Sequence, residues 1–311
     1  MSVMSEPRIS IVIVSYNTLE LTRRCLQSLQ RFEPDAQVIV VDNASRDGSA
    51  DMVRAEFPQV VCVVLPENLG FAGGNNQGIA HATGDFVVLL NSDTEIAGDV
   101  LSACARWMQQ HPRVGAASPR LMGVDGVPQE CRFAMPSLPS EMAKALGRPA
   151  RPLQGDHDPR GWLAGTALVI RRQALEAAGG RLDDVYFMYF EDMDFSARLQ
   201  AAGWERAVFS EGQVLHHGGA SGGGADARRR ADLEAWLLFG RYHWFRRHRG
   251  WAQTTGLWLL DWTSVARYLA RGLLRPQRRS EIAYGGVMAR ALIRALGGQA
   301  PPRPGVRKVA K

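Results

Sequence analysis

The sequence predicts an α/β protein, a mostly parallel sheet flanked by helices and followed by a basic helical extension. Three observations carry this. Short β-branched runs alternate with segments whose apolar residues recur at a helical period. Polar residues gather directly after the last apolar position of each run, as they do at the carboxyl ends of parallel strands. The charge also divides: residues 1–225 hold 19 basic and 26 acidic side chains, a net of −7, whereas 226–311 hold 18 and 5, a net of +13.

Taken in order, the apolar run 9–14 reads as a strand that stops at Ser15-Tyr16-Asn17, and 18–32 as a helix with apolar positions 21, 25, 26, 29 and 32. Residues 38–41 form a second strand ending in Asp42-Asn43, with Ser45, Asp47 and Gly48 supplying turn and cap chemistry before a short helix to Phe57. A third strand, 60–65, leads into the glycine-rich NLGFAGGNNQG at 68–78, read as a loop with a helix to His81, and FVVLL at 86–90 is the fourth strand. After a helix near 98–110, residues 112–161 hold eight prolines and read as irregular loops over the crevice, with the role of an acceptor lid. Residues 162–170 read as one more buried strand, and 191–202 as a helix stopped by Gly203.

At 311 residues, 46% hydrophobic and 22% charged, the chain has the material for a large core, which excludes a peptide-sized binder and global disorder. Its four cysteines, at 25, 62, 104 and 131, include no C-x-x-C pair, so neither a zinc knuckle nor a disulfide framework is expected and reduced thiols in a cytosolic protein are. The start lacks a basic region followed by an apolar one, and no stretch has the roughly 18 apolar residues of a spanning helix; 251–274 is interrupted by Gln253, Asp261, Arg267 and Arg271.

Chemistry concentrates in three places. Asp42 and the triplet Asn91-Ser92-Asp93 stand at strand ends, where one carboxylate can accept from a nucleoside base or ribose and another can hold a divalent cation; a helix cap or Asx turn also accounts for each taken singly. Glu191, Asp192 and Asp194 open a helix behind the aromatic run 186–190. They are either ordinary partners of the helix dipole or, against a partly dry wall, include a general base, and because dipole and burial oppose each other the sequence fixes no pKa. His216 and His217 open a glycine-rich loop that continues through Gly218, Gly219, Ala220 and Ser221, where backbone amides can approach phosphate and His216 can complete a metal site begun by Asp93.

In their order, IVIVSYN (11–17), VVDNASRDGS (40–49), NLGFAGGNNQG (68–78), LLNSDT (89–94), WLAGTALVIRR (162–172), FMYFEDMDFSARLQAAGW (187–204) and the HHGGAS loop resemble family 2 glycosyltransferases, in particular bacterial rhamnosyltransferase-type enzymes of cell-surface polysaccharides. The resemblance spans residues 8–221. It implies a GT-A fold, Rossmann-like in its sheet, a nucleotide-sugar donor (dTDP-rhamnose first, UDP-sugars next) and inversion at the anomeric carbon. Ser15 and Asn17 are then expected to line the nucleotide pocket, Asp42 with Asn43 beside it to bind base or ribose, and Asn76 with the Gly70 to Gly74 loop, including Gly73, to support the donor. Asn91-Ser92-Asp93 takes the place of the family's Asp-x-Asp, which makes Asp93 the expected ligand of Mg2+ or Mn2+ and His216 a second one. Asn91 departs from the two-carboxylate form, and Glu95 is a fallback carboxylate. Asp192 is the expected general base, with Glu191 next to it.

These motifs place a catalytic domain at 1–225, a basic tryptophan-rich helical extension at 226–296 and a disordered tail at 297–311. Trp236, Trp244, Trp251, Trp258 and Trp262, among Arg241, Arg246, Arg247, Arg249, Arg267 and Arg271, suit an interfacial segment on an anionic membrane, which fits a lipid-linked or polysaccharide acceptor and a location at the inner face of the cytoplasmic membrane. The other account of these residues is a helical hairpin packing its tryptophans on the catalytic domain. No nucleic-acid module accompanies the charge. Two rival functions are a non-catalytic nucleotide-sugar-binding scaffold and a sugar nucleotidyltransferase, which wants a basic glycine-rich loop after the first strand where this chain has Ser15-Tyr16-Asn17. A dinucleotide-binding oxidoreductase is excluded because no G-x-G-x-x-G follows a strand.

Overall fold

A computed structural model describes residues 6–148, 153–218, 227–275, 277 and 280–301. Strands β1 (Ile9–Ser15), β2 (Gln37–Asp42), β3 (Val61–Val64) and β4 (Phe86–Asn91) alternate with helices α1 (Leu19–Phe32), α2 (Ser49–Glu56) and α3 (Gly70–Ile79). β1 pairs parallel with both β2 and β4, and β2 with β3. Strands 1, 2 and 4 are covered on both faces, which is why they read as continuous apolar runs rather than alternating ones. Their register sets Ser15 beside Asp42 and Val14 beside Asn91, so three polar strand ends share one edge of the sheet.

The chain continues through β5 (Thr94–Ile96), α4 (Val100–Gln110), β6 (Val114–Gly123), β7 (Pro128–Gln129), β8 (Arg132–Ala134), α5 (Leu138–Ala145), β9 (Gly161–Leu163), β10 (Ala167–Arg171), α6 (Arg172–Ala177), α7 (Glu191–Ala201) and β11 (Glu205–His216). Among the described residues the main sheet runs β3-β2-β1-β4-β10-β6-β11-β5, with β7 on the side of β6; β8 and β9 form a separate ribbon. The sheet is largely parallel but not wholly so, since β10 runs antiparallel to both of its neighbours.

Three expectations need correction. The segment 112–161 is not loop throughout, because β6 is a ten-residue strand whose first six residues are buried. Its run Gly115-Ala116-Ala117-Ser118 is too small in side chain to announce a strand, yet small residues are what the site admits: a Cβ on Gly115 would lie 2.7 Å from Trp204 Cβ. Residues 162–170 form two strands broken at Ala164-Gly165-Thr166. The glycine-rich segment is a helix rather than a loop. Gly74 and Gly78 face β1, where added Cβ atoms would crowd Val14 and overlap Val12, so the glycines trade helix propensity for close approach to the strand.

Beyond 226 the described chain is helical, as expected: α8 (Ala227–Leu274), interrupted at Gly250, and α9 (Ser280–Leu296). The tryptophans, however, mostly turn inward. Trp236 and Trp244 are 3% and 0% exposed, Trp258 and Trp262 pack against the core, and Trp251 alone of the five is largely exposed, at 58%. The apolar surface that receives them is the 186–193 segment: Tyr186 and Met193 share a cluster with Tyr242, Trp244, Phe245, Leu257, Val265 and Leu292, while Phe187 clusters with Trp236 and Phe239. Several arginines are spent in the same contact. Arg241 bridges Glu141 and Asp261, and Arg247 pairs with Asp183 and Asp194. Gly219 to Ser221 of the HHGGAS loop and 302–311 of the tail lie outside the described residues.

Candidate active site

The shared sheet edge is built by hydrogen bonds that splice strand ends to helix starts. The Asn43 amide accepts from Leu69 N (2.8 Å) and donates to the Gly70 carbonyl (3.0 Å), which fixes the N-terminus of α3 against the end of β2. Asp42, 2% exposed, accepts from Ser45 N at 3.1 Å through one oxygen. Its other oxygen has no protein partner, an unsatisfied buried acceptor that suits a ligand N–H or O–H. Asn17 adopts a left-handed conformation (φ 53) at the end of β1 and accepts from Arg46 N at 2.8 Å, so it shapes the mouth of the same edge.

Four expected donor residues are used differently. Ser15 is fully buried and its hydroxyl joins Thr18 and Thr22 (3.1 and 3.0 Å), and Thr18 in turn reaches Ser92. It does not line a pocket through its side chain. Asn76 makes a reciprocal pair with the backbone of Leu182 (2.9 and 2.8 Å), so it steadies the approach to the 186–190 segment instead of facing a ligand. Gly70 lies directly beneath the Phe187 carbonyl, which accepts from Phe71 N at 2.8 Å, and Gly73 faces the Leu69 side chain one turn back.

On the other side of β4, Asp93 is 5% exposed and its carboxylate lies 3.4 Å from His216 Nε2. The ring is oriented by Gln129, whose Oε1 sits 2.7 Å from Nδ1 and whose Nε2 donates to the His216 carbonyl. Gln129 is a residue that sequence reasoning missed, because nothing in a proline-interrupted stretch sets it apart. With Nδ1 carrying the proton toward Gln129, Nε2 presents a lone pair beside the carboxylate. One carboxylate and one oriented imidazole fit a divalent cation whose remaining positions are filled by ligand oxygens or water. Among the described residues no group of three or more His, Cys, Asp or Glu is arranged to hold a metal ion. Glu95 is not available as a fallback, since it pairs with His217 Nε2 at 2.6 Å.

Asp192 stands at the start of α7, where its carboxylate accepts from Gly165 N (3.0 Å) and Met193 N (2.8 Å). Burial pushes its pKa up to about 6 against the pull of those amides. Glu191 is 4% exposed with one carboxylate oxygen unpartnered, and burial, added to the charge of Asp192, raises it well above the usual range. Desolvation therefore outweighs the helix dipole that the sequence left in balance against it. The third carboxylate behaves oppositely. Asp194 is fully buried, which alone would raise it, but His248 (2.7 Å), Arg198 (2.7 Å) and Arg247 hold it below the ordinary value.

The segment leading into α7 is strained: Tyr189 and Phe190 are successive non-glycine residues with φ of 70° and 71°. The Phe190 ring packs over Gly240 of α8, where a Cβ would come within 2.8 Å of it. The C-terminal helix thus props the turn that aims Asp192. Gly165 and Thr166 join the two halves of the site: Thr166 accepts from Asn91 N (2.9 Å) at the end of β4 while Gly165 donates to Asp192. The glycine inside an otherwise strand-like run was the signal for this junction.

Residues 10–176 match the family described as Glycosyl transferase family 2. The chain is 31% identical over 302 residues to an N-acetylglucosaminyl-diphospho-decaprenol L-rhamnosyltransferase of Mycobacterium tuberculosis, covering 88% of this chain and 96% of that protein. It is 25% identical to the O-antigen biosynthesis protein RfbC of Myxococcus xanthus over 77% of this chain and 19% of that longer one. Among solved structures it is similar to the mannosyltransferase PcManGT from Pyrobaculum calidifontis in complex with GDP-Man and Mn2+, with a TM-score of 0.57 and 18% identity over 94% of this chain and 88% of that one. S. aureus TarS 1-349 in complex with UDP gives 0.51 and 16% over 94% and 90%. The chain belongs to glycosyl transferase family 2, and it is a glycosyltransferase of GT-A fold.

Proposed function

We propose that this glycosyltransferase moves a sugar from a nucleoside diphosphate donor to a hydroxyl of a lipid-linked or polysaccharide acceptor, with inversion, in cell-surface glycan synthesis at the inner face of the cytoplasmic membrane. The observation that carries the reading is the placement of Asp192, a carboxylate held near pKa 6 and tethered through Gly165-Thr166 to the strand end that bears Asn91 and Asp93. The mycobacterial relative supports rhamnose as the sugar and a polyprenyl-diphosphate-linked acceptor; dTDP-rhamnose is the donor that the family resemblance implies, and the TarS complex with UDP supports UDP-sugars as the next donors.

Asp42 and Asn17 bind base and ribose at the ends of β2 and β1, and the backbone at the start of α3 shapes the wall beside them. Asp192 takes the proton of the acceptor hydroxyl as its oxygen bonds to the anomeric carbon. The bond from that carbon to the phosphate oxygen breaks on the opposite face, and the diphosphate leaves with the electron pair. Asp93 and His216 would hold Mg2+ or Mn2+, which supplies neutralisation of the charge that develops on the departing diphosphate. Burial and the charge of Asp192 raise Glu191 well above the usual carboxylate range, which favours Asp192 as the proton acceptor of the pair.

The test is transfer from dTDP-rhamnose and UDP-sugars to a polyprenyl-diphosphate-linked N-acetylglucosamine, followed by the anomeric configuration of the product. Transfer with inversion that Asp192→Asn lowers by about 10²- to 10⁴-fold, with donor binding kept, supports the reading. Full turnover by that variant, or donor binding without transfer to any acceptor, overturns it.

A further inference from the structure

With four tryptophans packed inward, the outward face of the C-terminal helices is left to other residues. Along the second half of α8, Trp251, Leu259, Leu273 and Leu274 are 58%, 57%, 74% and 80% exposed, and Thr255, Ala266 and Ala270 lie between them at helical spacing. Arg267, Arg271 and Arg275, each four residues apart, form an exposed row beside this stripe. On α9, which packs against α8, Val287 (47%) and Ile293 (60%) are exposed next to Arg290 and Arg294. None of these five arginines is in an ion pair among the described residues. The one acidic side chain described on residues 251–301, Asp261, is taken up by Arg241 and Tyr242. No helix of the described residues is long and apolar enough to cross a membrane.

We propose that this face is a docking surface for an anionic lipid bilayer, on which the helix pair lies flat with Leu259, Leu273, Leu274, Val287 and Ile293 at the acyl boundary and the five arginines on lipid phosphates. Charge selects this occupant. A second copy of the chain would set the same five guanidinium groups against each other with no free carboxylate among the described residues of 251–301 to offset them, whereas anionic headgroups complement every one. The stripe is narrow and flanked by cations, the pattern of a helix that lies in an interface and not of one that spans it. The inference deepens the proposed function, since a lipid-linked acceptor is met at such a surface, but its evidence is independent of the catalytic residues.

The experiment is flotation of the full chain with vesicles of phosphatidylcholine alone and with 30% phosphatidylglycerol, at low salt and in 0.5 M NaCl, alongside analytical ultracentrifugation. The expected result is binding to the anionic vesicles that salt weakens. The combined Arg267→Glu, Arg271→Glu and Arg275→Glu variant should bind at least about a hundredfold more weakly, at about fivefold per lost cation, and Leu273→Ser with Leu274→Ser should also release the protein. Thermal stabilisation by nucleoside diphosphate checks that each variant is folded. Equal partition of wild type and triple variant, or no binding at low salt, overturns the proposal, as does a dimer that the leucine variant dissociates while vesicles are ignored. Failure of the wild type to bind vesicles while it still transfers removes this inference alone, and vesicle binding by a wild type that does not transfer removes only the catalytic reading.

Discussion

The backbone amide of Gly165 donates to the carboxylate of Asp192 across 3.0 Å, and this bond ties the start of α7 to the end of β4 through a single intervening residue. The carboxylate is aimed by main chain, which has no rotamers to search. Burial sets its pKa, the amides limit the rise, and the result lies close to working pH, where a general base is most effective.

Activity should therefore fall on the acid side with an apparent pKa near 6, because only the ionised form of Asp192 accepts the proton. A profile of kcat/KM between about pH 4.5 and 8 checks this. Glu191→Gln replaces a carboxyl that burial and the charge of Asp192 raise well above the usual range and should leave the limb in place; a limb that moves to ordinary carboxylate pH would assign the titration elsewhere.

The same shift costs stability. Asp192 titrates near 6 in the folded chain and near 3.9 unfolded, so the fold is favoured below the unfolded value and loses stability as pH rises through the folded one. Asp192→Asn removes that loss and should be the more stable protein at pH 7, by on the order of 2 kcal/mol relative to the difference at pH 4. Thermal unfolding at the two pH values reads it directly.

Asp194 has the reverse linkage: its pKa is depressed, so its contribution is present above the unfolded value and disappears as pH falls through the folded one. Asp194→Ala leaves Arg198, Arg247 and His248 without their shared partner and should cost about 3–5 kcal/mol. Arg247→Ala, at a side chain 41% exposed, should cost much less, and urea unfolding of the two variants tests the ranking.

Metal use should depend on Gln129 as well as on His216. Gln129→Ala frees the imidazole to rotate and should raise the Mn2+ concentration for half-maximal activity about 10- to 100-fold, while EDTA should abolish transfer in both variant and wild type. Unchanged Mn2+ dependence in the His216→Ala protein would remove His216 from the site.

Gly78→Ala places a methyl group onto Val12 and should destabilise by about 1–3 kcal/mol. Combining it with Val12→Ala, which makes room at that contact, should recover part of the loss, and the double-mutant cycle should show coupling between the two positions.

Much of this was legible in the sequence because parallel strands place chemistry at their ends. Asp42 and Asn91-Ser92-Asp93 stand at the ends of β2 and β4, where the polarity pattern put them, and Glu191-Asp192 open α7, where the helical period put them. What stayed hidden depended on packing partners far away in the chain. Gly74 and Gly78 read as loop until β1 lies against them, and Ser15 and Asn76 read as ligand-facing until Thr22 and Leu182 are seen to use them. As composition, the tryptophans suited a membrane or packing on the catalytic domain; the choice between the two needed the 186–193 aromatic segment opposite. Burial also decided the pKa of Asp192, a quantity that no linear pattern contains.

The prop that α8 sets under Phe190 has a consequence for recombining these enzymes. Sequence-wise the extension looks like a cassette that could be exchanged to alter acceptor choice. Its Gly240, His248 and Arg247 are fitted to the turn and the carboxylate at 189–194 of the catalytic part. A hybrid joined near 225 would pair a foreign helix with this turn and leave Asp194 facing whatever side chains arrived. The unit that can be transplanted is the extension together with residues 186–194, and the crossover has to fall on both sides of that segment.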